Sequence, residues 1–214
     1  KTTTTSMVAH ALLRCGLEPA YLIGGALRTT GLNADWGAGE WLVVEADESD
    51  RSMLELHVEV AVVTNVELDH HATYASEAEL RAFFETWLEG VPHVVRSWEL
   101  QPVELELAVP GEHNRQNAAA ALAALELAGV PREEAEAALV LFTGVDRRLQ
   151  LVGKRGGVAV YDDYGHNPTE LEATPNERLS RPAQLVQRAK QLAQLTNVQF
   201  GRNTIPTQPA SQPQ

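Results

Sequence analysis

The sequence predicts an α/β fold in which helices flank a mostly parallel sheet. Short apolar runs alternate along the chain with longer segments of helical apolar spacing. The apolar runs are continuous rather than alternating in polarity, which indicates strands covered on both faces, as in a parallel sheet. Polar residues follow several of these runs directly. In open α/β sheets that edge is where ligands bind.

The helices are predicted from apolar spacing and from stop signals. The first spans residues 2–15, where Met7, Val8, Ala11 and Leu12 share one face and Gly16 ends the segment. Three later segments show the same pattern, the second of them rich in alanine: 77–88, 117–127 and 133–141.

The strands are predicted from short apolar runs that end abruptly. The run at 41–44 stops at Glu45, and the run at 60–64 stops at Asn65. Three further runs are interpreted as strands for the same reason: 21–23, 93–95 and 158–161.

Composition narrows the function classes. A net charge of −12 over 214 residues argues against a nucleic-acid partner, which needs clustered basic residues. No apolar run reaches the length of a membrane helix, so no membrane partner is expected. The single cysteine, Cys15, is typical of a reducing compartment and predicts a cytoplasmic protein. The first residue is Lys rather than Met, from which we expect a fragment or a processed chain.

The first candidate site lies at the start of the chain. Lys1, Thr2 and Thr3 open a helix and match the end of a P-loop, whose lysine contacts phosphates and whose hydroxyl binds Mg²⁺. The glycines of such a loop are not in this sequence. Taken alone, the same residues are more typical of threonines that cap a helix.

Acidic residues follow two of the predicted strands. Glu45, Asp47 and Glu48 come after the strand at 41–44, where carboxylates can hold Mg²⁺. Asn65 and His70 follow the next strand along the chain, and a neutral imidazole among carboxylates suits a second metal ion. The alternative interpretation of the first segment is a polar loop with a helix cap, and that of the second is a capped loop with a surface histidine.

Three later segments carry polar residues suited to a nucleotide. The asparagines near residue 114 have both the donor and the acceptor that the edge of adenine requires. An arginine could clamp phosphate, and an aspartate could bind ribose hydroxyls. Helix capping and loop salt bridges are the alternatives. The residues in question are His113, Asn114, Asn117, Arg147, Arg148, Asp162 and Asp163.

The order of these motifs resembles that of the Mur ligase family. The series runs K-T-T-T-T, E-A-D-E-S-D, T-N-x-E-x-D-H, P-G-x-H-N-x-x-N, G-x-x-R-R and D-D-Y-G-H-x-P-T-E, and it covers residues 1–174. The resemblance implies a P-loop-type central domain that binds ATP and Mg²⁺. It assigns phosphate contacts to Lys1 and Thr3, and the first Mg²⁺ to Thr2 with Glu45 or Glu48.

The resemblance assigns the remaining positions as follows. His70 would hold a second Mg²⁺, and His113, Asn114 and Asn117 would contact adenine. Either Arg147 or Arg148 would reach the nucleotide, and Asp162 or Asp163 its ribose. The residues near the reacting centre and the other substrates would be Asn65, Tyr164 and His166, with Lys1, His70 and His166 as the catalytic set.

The activity that the resemblance implies is ATP-dependent amide bond formation. The E-A-D-E-S-D and D-D-Y-G-H-x-P-T-E segments are most similar to the member that joins L-alanine to UDP-N-acetylmuramate through an acyl phosphate. Three alternatives stay open. The chain could resemble the member that reattaches a recycled murein tripeptide, it could be an inactive nucleotide-binding or interaction module, or it could fail to fold stably.

The resemblance also predicts how the chain is divided. Residues 1–145 correspond to the central ATP-binding domain, with the N-terminal part absent and a shortening between Pro92 and Pro110. Residues 146–174 correspond to the start of a Rossmann-like C-terminal domain. Residues 175–214 diverge from the family, and we expect a helix at 182–195 followed by a disordered tail. The family usually has an aspartate where this chain has Ala72.

Overall fold

A computed structural model of the chain describes residues 1–68 and 73–165. Helices and strands alternate through this part, as the sequence predicts. The α-helices are α1 (Thr2–Arg14), α2 (Glu77–Leu88), α3 (Glu112–Leu127) and α4 (Arg132–Val140). The strands are β1 (Ala20–Leu22), β2 (Ala34–Asp35), β3 (Leu42–Val44), β4 (Val60–Val63), β5 (His93–Arg96), β6 (Gln150–Arg155) and β7 (Val158–Asp162).

The four helix predictions that fall within the described residues are confirmed, and every boundary except the start of α3 lies within one residue of the prediction. Helix α2 begins after Ser76, whose hydroxyl accepts a hydrogen bond from the Glu79 amide at 3.2 Å. Helix α3 begins five residues earlier than predicted. Its first turn follows Gly111, which has a φ of 104° and redirects the chain into the helix. The predicted helix at 182–195 and the predicted tail lie outside the described residues.

Parallel pairing between strands is also confirmed. Strand β1 pairs with β3 in parallel, with Tyr21 opposite Val43, and β4 pairs with β5 in parallel, with Ala61 opposite Val94. The short strand β2, which the sequence did not predict, pairs with β1 in antiparallel orientation. The parallel strands form two separate groups, β2-β1-β3 and β4-β5, because β3 and β4 are not hydrogen-bonded to each other.

Strands β6 and β7 form an antiparallel hairpin. The turn contains Gly156 and Gly157, both with positive φ (57° and 79°), as the tight turns of hairpins require. Only β7 was predicted, because β6 carries polar residues such as Gln150 and Lys154 among its apolar ones.

Two apolar clusters hold these elements together. The larger joins α1, α3 and α4 through buried side chains that include Leu12, Leu125 and Phe142. The smaller joins α2 to β4 and includes Leu80 and Val63. As a result, the N-terminus of α1 is fixed beside the carboxyl end of β3. Within 1–68 and 73–165, no helix has the length and apolar character needed to cross a membrane.

Candidate functional site

The centre of the candidate site is the first turn of α1, which faces the end of β3. The Thr2 hydroxyl donates a hydrogen bond to Glu45 Oε1 at 2.8 Å. Thr2 is only 3% exposed, because α1 packs its first turn against the core. The N-cap of α1 is Lys1, and no side chain caps the helix. The threonine-cap interpretation of this segment is therefore wrong for Thr2, whose side chain is directed at an acidic group.

Lys1 lies beside two carboxylates of the same acidic loop. Its Nζ is 3.1 Å from Asp47 Oδ2 and 3.1 Å from Glu48 Oε2. Partial burial by itself would lower the pKa of Lys1. The attraction of Glu48 and the hydrogen bonds to both carboxylates outweigh burial and raise that pKa above 10.5. The ammonium group is thus held in its charged form at the mouth of the site.

The pKa of Asp47 shifts in the opposite direction from that of Lys1. Partial burial would raise its pKa, but hydrogen bonds from Ser49 and from Lys1 outweigh burial and lower the pKa of Asp47 to about 2. The Ser49 amide contributes one of these bonds, at 2.8 Å from Asp47 Oδ1. The acidic loop therefore stays negatively charged at any pH near neutrality.

Gly24 is a site residue that the sequence analysis did not identify. Its amide donates a hydrogen bond to Glu45 Oε2 at 2.7 Å, which fixes the carboxylate from the side opposite Thr2. A Cβ at this position would come within 2.8 Å of the same oxygen, so glycine is needed for the close approach. The two adjacent glycines directly after a predicted strand were the signal that could have revealed it.

A chain of polar side chains connects α1 to the start of α3. The Thr4 hydroxyl donates to Asn117 Oδ1 at 3.0 Å, and Asn117 Nδ2 donates to Asn114 Oδ1 at 3.3 Å. Asn114 Nδ2 in turn donates to the Pro110 carbonyl at 2.6 Å. Asn114 is 7% exposed and lies inside α3 rather than at its cap. This chain of bonds fixes both amide groups relative to α1.

Arg148 approaches the same centre from the far end of the described chain. Its Nη2 donates to Thr2 Oγ1 at 3.0 Å. Both guanidinium groups lie over the Tyr164 ring, but Arg147 is the closer, with its guanidinium carbon 4.6 Å from the centroid against 5.8 Å for Arg148. Asp163 accepts hydrogen bonds from two backbone amides, those of Leu149 at 3.2 Å and Gly165 at 2.7 Å. The two arginines are therefore distinguished by geometry: Arg148 lies at the centre and Arg147 beside it.

One cavity of about 1280 Å³ collects most of the predicted residues. Arg147 and Asp162 are not among the residues that line it. Asn65 does line it, and its side-chain amide donates to Glu67 Oε1 at 3.0 Å. His70 and His166 lie outside the described residues. The predicted residues that do line the cavity are Lys1, Thr2, Thr3, Glu45, Glu48, Asn65, His113, Asn114, Asn117, Arg148, Asp163 and Tyr164.

The donor set at Thr2 and Glu45 fits a magnesium ion. A hydroxyl and a carboxylate oxygen are hard ligands, and Mg²⁺ in phosphate sites takes few protein ligands because water and phosphate oxygens complete its shell. Glu48, the alternative ligand, is instead bonded to Lys1. Within 1–68 and 73–165, no three His, Cys, Asp or Glu residues cluster as a metal site.

Comparison with known proteins shows which family has a similar sequence. The chain is 42% identical over 223 residues to the UDP-N-acetylmuramate–L-alanine ligase of Streptomyces coelicolor, and 34% identical over 229 residues to that of Rhizobium meliloti. Each match covers 81% of this chain. The matched part of the chain belongs to the Mur ligase family. No family profile matches the sequence.

Solved structures place the fold in the Mur ligase family as well. The UDP-N-acetylmuramate–alanine ligase of Thermotoga maritima has a TM-score of 0.72 at 28% identity, and it aligns with 91% of this chain and 52% of its own. A murein peptide ligase from Psychrobacter arcticus has a TM-score of 0.59 at 23% identity over 80% of this chain, a likeness of fold alone. The chain spans about half the length of the curated relatives that it matches, 48% for the Streptomyces coelicolor ligase.

Proposed function

We propose that this chain forms the ATP-binding part of a ligase that joins L-alanine to UDP-N-acetylmuramate. The observation that carries the proposal is the convergence of Lys1, Thr2, Glu45 and Arg148 at the N-terminus of α1. A helix N-terminus favours anions, and a lysine and an arginine beside it add the charge that a triphosphate needs. The identity of the curated relatives supports the choice of substrates.

The roles of the individual groups follow from their positions. Lys1 Nζ would leave Asp47 and Glu48 to contact the terminal phosphates, and the Thr3 amide would add a donor from the first helical turn. The hydroxyl of Thr2 and the carboxylate of Glu45 would hold Mg²⁺, which neutralises phosphate charge when bound. Arg148 Nη2, now on Thr2, would turn to the phosphates and stabilise the charge that develops during phosphoryl transfer.

The base and sugar of ATP would lie toward α3 and the end of β7. Asn114 and Asn117 already have fixed orientations, and His113 lines the same cavity. Asp163 has both carboxylate oxygens bonded to amides, which fixes it as a candidate acceptor for ribose hydroxyls. In this proposal the lactyl carboxylate of UDP-N-acetylmuramate takes the γ-phosphoryl group, and the alanine amine then displaces phosphate from the acyl phosphate.

The domain assignment is part of the same proposal. Residues 1–145 would be the central domain and 146–174 the start of the next one, whose first described element is the β6–β7 hairpin. The internal shortening has support from the alignments. The alignment with the Streptomyces coelicolor ligase spans 223 residues, but it covers only 81% of the 214 residues of this chain, which is about 173 residues. The ligase therefore has about 50 residues in this alignment that have no counterpart here. A cytoplasmic location, expected from the lone Cys15, completes the proposal.

A hybrid enzyme tests the proposal. Residues 1–165 would replace the matching half of the Streptomyces coelicolor ligase, and phosphate release would be measured with ATP, UDP-N-acetylmuramate and an amino component. The proposal predicts release that requires L-alanine and that is lost when Glu45→Gln is introduced into the hybrid. Phosphate release that requires a murein tripeptide rather than L-alanine would instead indicate a ligase that reattaches this tripeptide to UDP-N-acetylmuramate. A folded hybrid that binds no ATP would support neither ligase.

A further inference from the structure

Arg148 lies in a short backbone arc, residues 146–149, in which both of its neighbours have unusual conformations. Arg147 has a φ of 62° and Leu149 has a φ of 45°. Residues with a Cβ rarely adopt this left-handed region, because it costs free energy that surrounding contacts must offset. Two such residues, one on each side of an arginine of the candidate site, indicate an arc that its surroundings hold in place.

The side chain of Gln150 binds this arc with both ends of its amide group. Its Oε1 accepts a hydrogen bond from the Arg147 amide at 2.9 Å, and its Nε2 donates to Asp146 Oδ1 at 2.9 Å. A backbone N–H needs an acceptor and a carboxylate needs a donor, so the two partners determine the orientation of the amide. Gln150 is the first residue of β6 and pairs with Asp162 of β7, which fixes its own backbone.

The base of the arc is attached to the segment that follows β1. The Asp146 amide donates to the Ala26 carbonyl at 3.0 Å, and Asp146 Oδ1 lies 3.7 Å from Arg28 Nε. Arg28 also donates from Nη1 to the Thr143 carbonyl at 2.9 Å, just before the arc begins. This is the segment that carries Gly24, so one loop contacts both Glu45 and the arc.

The far side of the arc is bound by the segment that follows β7. The Leu149 amide donates to Asp163 Oδ2 at 3.2 Å, and the Tyr164 amide donates to the Arg147 carbonyl at 2.7 Å. Both left-handed residues thus have their backbone polar groups held by partners outside the arc. Of these partners, Gln150 is the side chain that joins the base of the arc to its first left-handed residue.

We propose that Gln150 is a positioning residue that fixes where the Arg148 guanidinium group lies, and its effect on ATP rests on the proposed function. Arg148 lines the cavity and donates to Thr2 Oγ1 at 3.0 Å, whereas Gln150 does not line the cavity. Gln150 therefore acts through the arc and not by touching a nucleotide. A guanidinium group that is already oriented loses less conformational freedom when it binds phosphate oxygens.

A purely structural role for Gln150 makes a different prediction from a positioning role. If Gln150 acts through Arg148, replacing Gln150 has no further effect on ATP affinity once the guanidinium group has been removed. If it only supports the loop, the two losses of affinity are independent and add in the double variant. A double-mutant cycle therefore separates the two roles.

Calorimetric titration of the full chain with ATP and Mg²⁺ provides this cycle. Gln150→Met keeps the length of the side chain and removes both of its hydrogen bonds, and Arg148→Met removes the guanidinium group. We expect Arg148→Met to weaken ATP binding by at least about tenfold, and Gln150→Met by between about threefold and tenfold. The double variant should bind ATP as Arg148→Met does.

The position of Arg148 is also measured without nucleotide. NMR spectra of the guanidinium nitrogens show whether rotation about the Cζ–N bonds is restricted, as the hydrogen bond to Thr2 requires. We expect restricted rotation in the parent chain and freer rotation in Gln150→Met. Tyr21→Phe is the matched control, because it removes a hydroxyl that bonds Thr30 Oγ1 at 3.0 Å, outside the arc. That variant should leave both the rotation and the ATP affinity unchanged.

Two results would overturn the positioning role. One is rotation of the Arg148 guanidinium group that stays restricted in Gln150→Met, and the other is additive losses of ATP affinity in the double variant. If Gln150→Met does not fold, Gln150→Glu takes its place, since it keeps the acceptor for the Arg147 amide and loses the donor to Asp146. Freer rotation in the variant, together with no ATP binding by the parent chain, would refute the proposed ATP site and support the positioning role.

Discussion

Thr2 and Glu45 are joined by a hydrogen bond of 2.8 Å between Oγ1 and Oε1, although 43 residues separate them in sequence. Glu45 is held from its other side by the Gly24 amide, so its carboxylate bridges the first turn of α1 and the end of β1. In the proposed function, this bridge is where Mg²⁺ and the phosphates of ATP would meet.

Glu45→Gln removes the charge while keeping an oxygen in place. We expect ATP affinity in the presence of Mg²⁺ to fall by about 10- to 100-fold, as for the loss of a metal-site group. Affinity without Mg²⁺ should change little or rise, because a negative charge beside the phosphates is gone. Calorimetric titration with and without Mg²⁺ measures both. Glu133→Gln, in the first turn of α4, is the matched control.

Gly24→Ala would push the Glu45 carboxylate out of its position, because the new Cβ would occupy the space beside it. The added Cβ would lie within 3.0 Å of both Glu45 oxygens, and the end of a flexible side chain can move away. We therefore predict weaker Mg²⁺-dependent ATP binding with little change in the unfolding midpoint. Gly25→Ala is the contrasting variant: its Cβ would meet buried Val145 Cγ1 at 2.7 Å, and overpacking should cost about 1–3 kcal/mol of stability. If both variants lost the same stability, the role of Gly24 in placing Glu45 would be contradicted.

The lowered pKa of Asp47 predicts that the folded chain loses stability in acid. Its pKa is about 2 in the folded chain against an ordinary 3.8, so the unfolded state takes up a proton first as the pH falls. The stabilisation is complete above pH 3.8 and is lost as the pH drops from 3.8 toward 2. Asp47→Asn should therefore show a smaller decrease in urea midpoint between pH 5 and pH 3 than the parent chain. Glu89→Gln, at an exposed position, should retain the parent's decrease.

The lowered pKa of His10 predicts that the stability of the fold also depends on pH nearer to neutrality. Burial lowers its pKa below 6.5, although a hydrogen bond at 3.1 Å between Nε2 and the Ala138 carbonyl acts in the opposite direction. The unfolded state then binds the proton first, so stability present above pH 6.5 is lost as the pH falls from 6.5 toward the lower pKa of the folded state. The unfolding midpoint should decrease between pH 7.5 and pH 5.5, and His10→Gln should flatten this decrease. A slope unchanged by His10→Gln, but altered by the exposed His57→Gln, would contradict the assignment.

The sequence predicts the elements of this fold better than their contacts. Helix α2 begins and ends at the predicted residues because its apolar spacing and its Ser76 cap are local signals. Strand β6 was missed because its polar residues hide the strand pattern, although the glycine pair after it marks the turn.

The same holds for the candidate site, where the residues are predicted better than their contacts. The order of the motifs predicts that Lys1, Thr2 and Glu45 belong to one site. The glycine pair at 24–25 marks a close approach of the backbone, but it does not identify Glu45 as the group that Gly24 contacts. Nor could the sequence distinguish Arg148 from Arg147. Arg148 reaches Thr2 across 146 residues, a contact that depends on how α1 and the β6–β7 hairpin pack.

We propose that the first turn of α1 binds the phosphates of ATP, and a single calorimetric titration decides whether it does. Calorimetry with ATP and Mg²⁺ would compare the parent chain with Lys1→Met and with Lys154→Met, which removes an exposed lysine of β6. We expect saturable binding by the parent chain and by Lys154→Met, and a loss of at least about tenfold in affinity for Lys1→Met. Equal affinities for the two variants, or no binding by the folded parent chain at millimolar ATP, would show that this turn does not bind the phosphates.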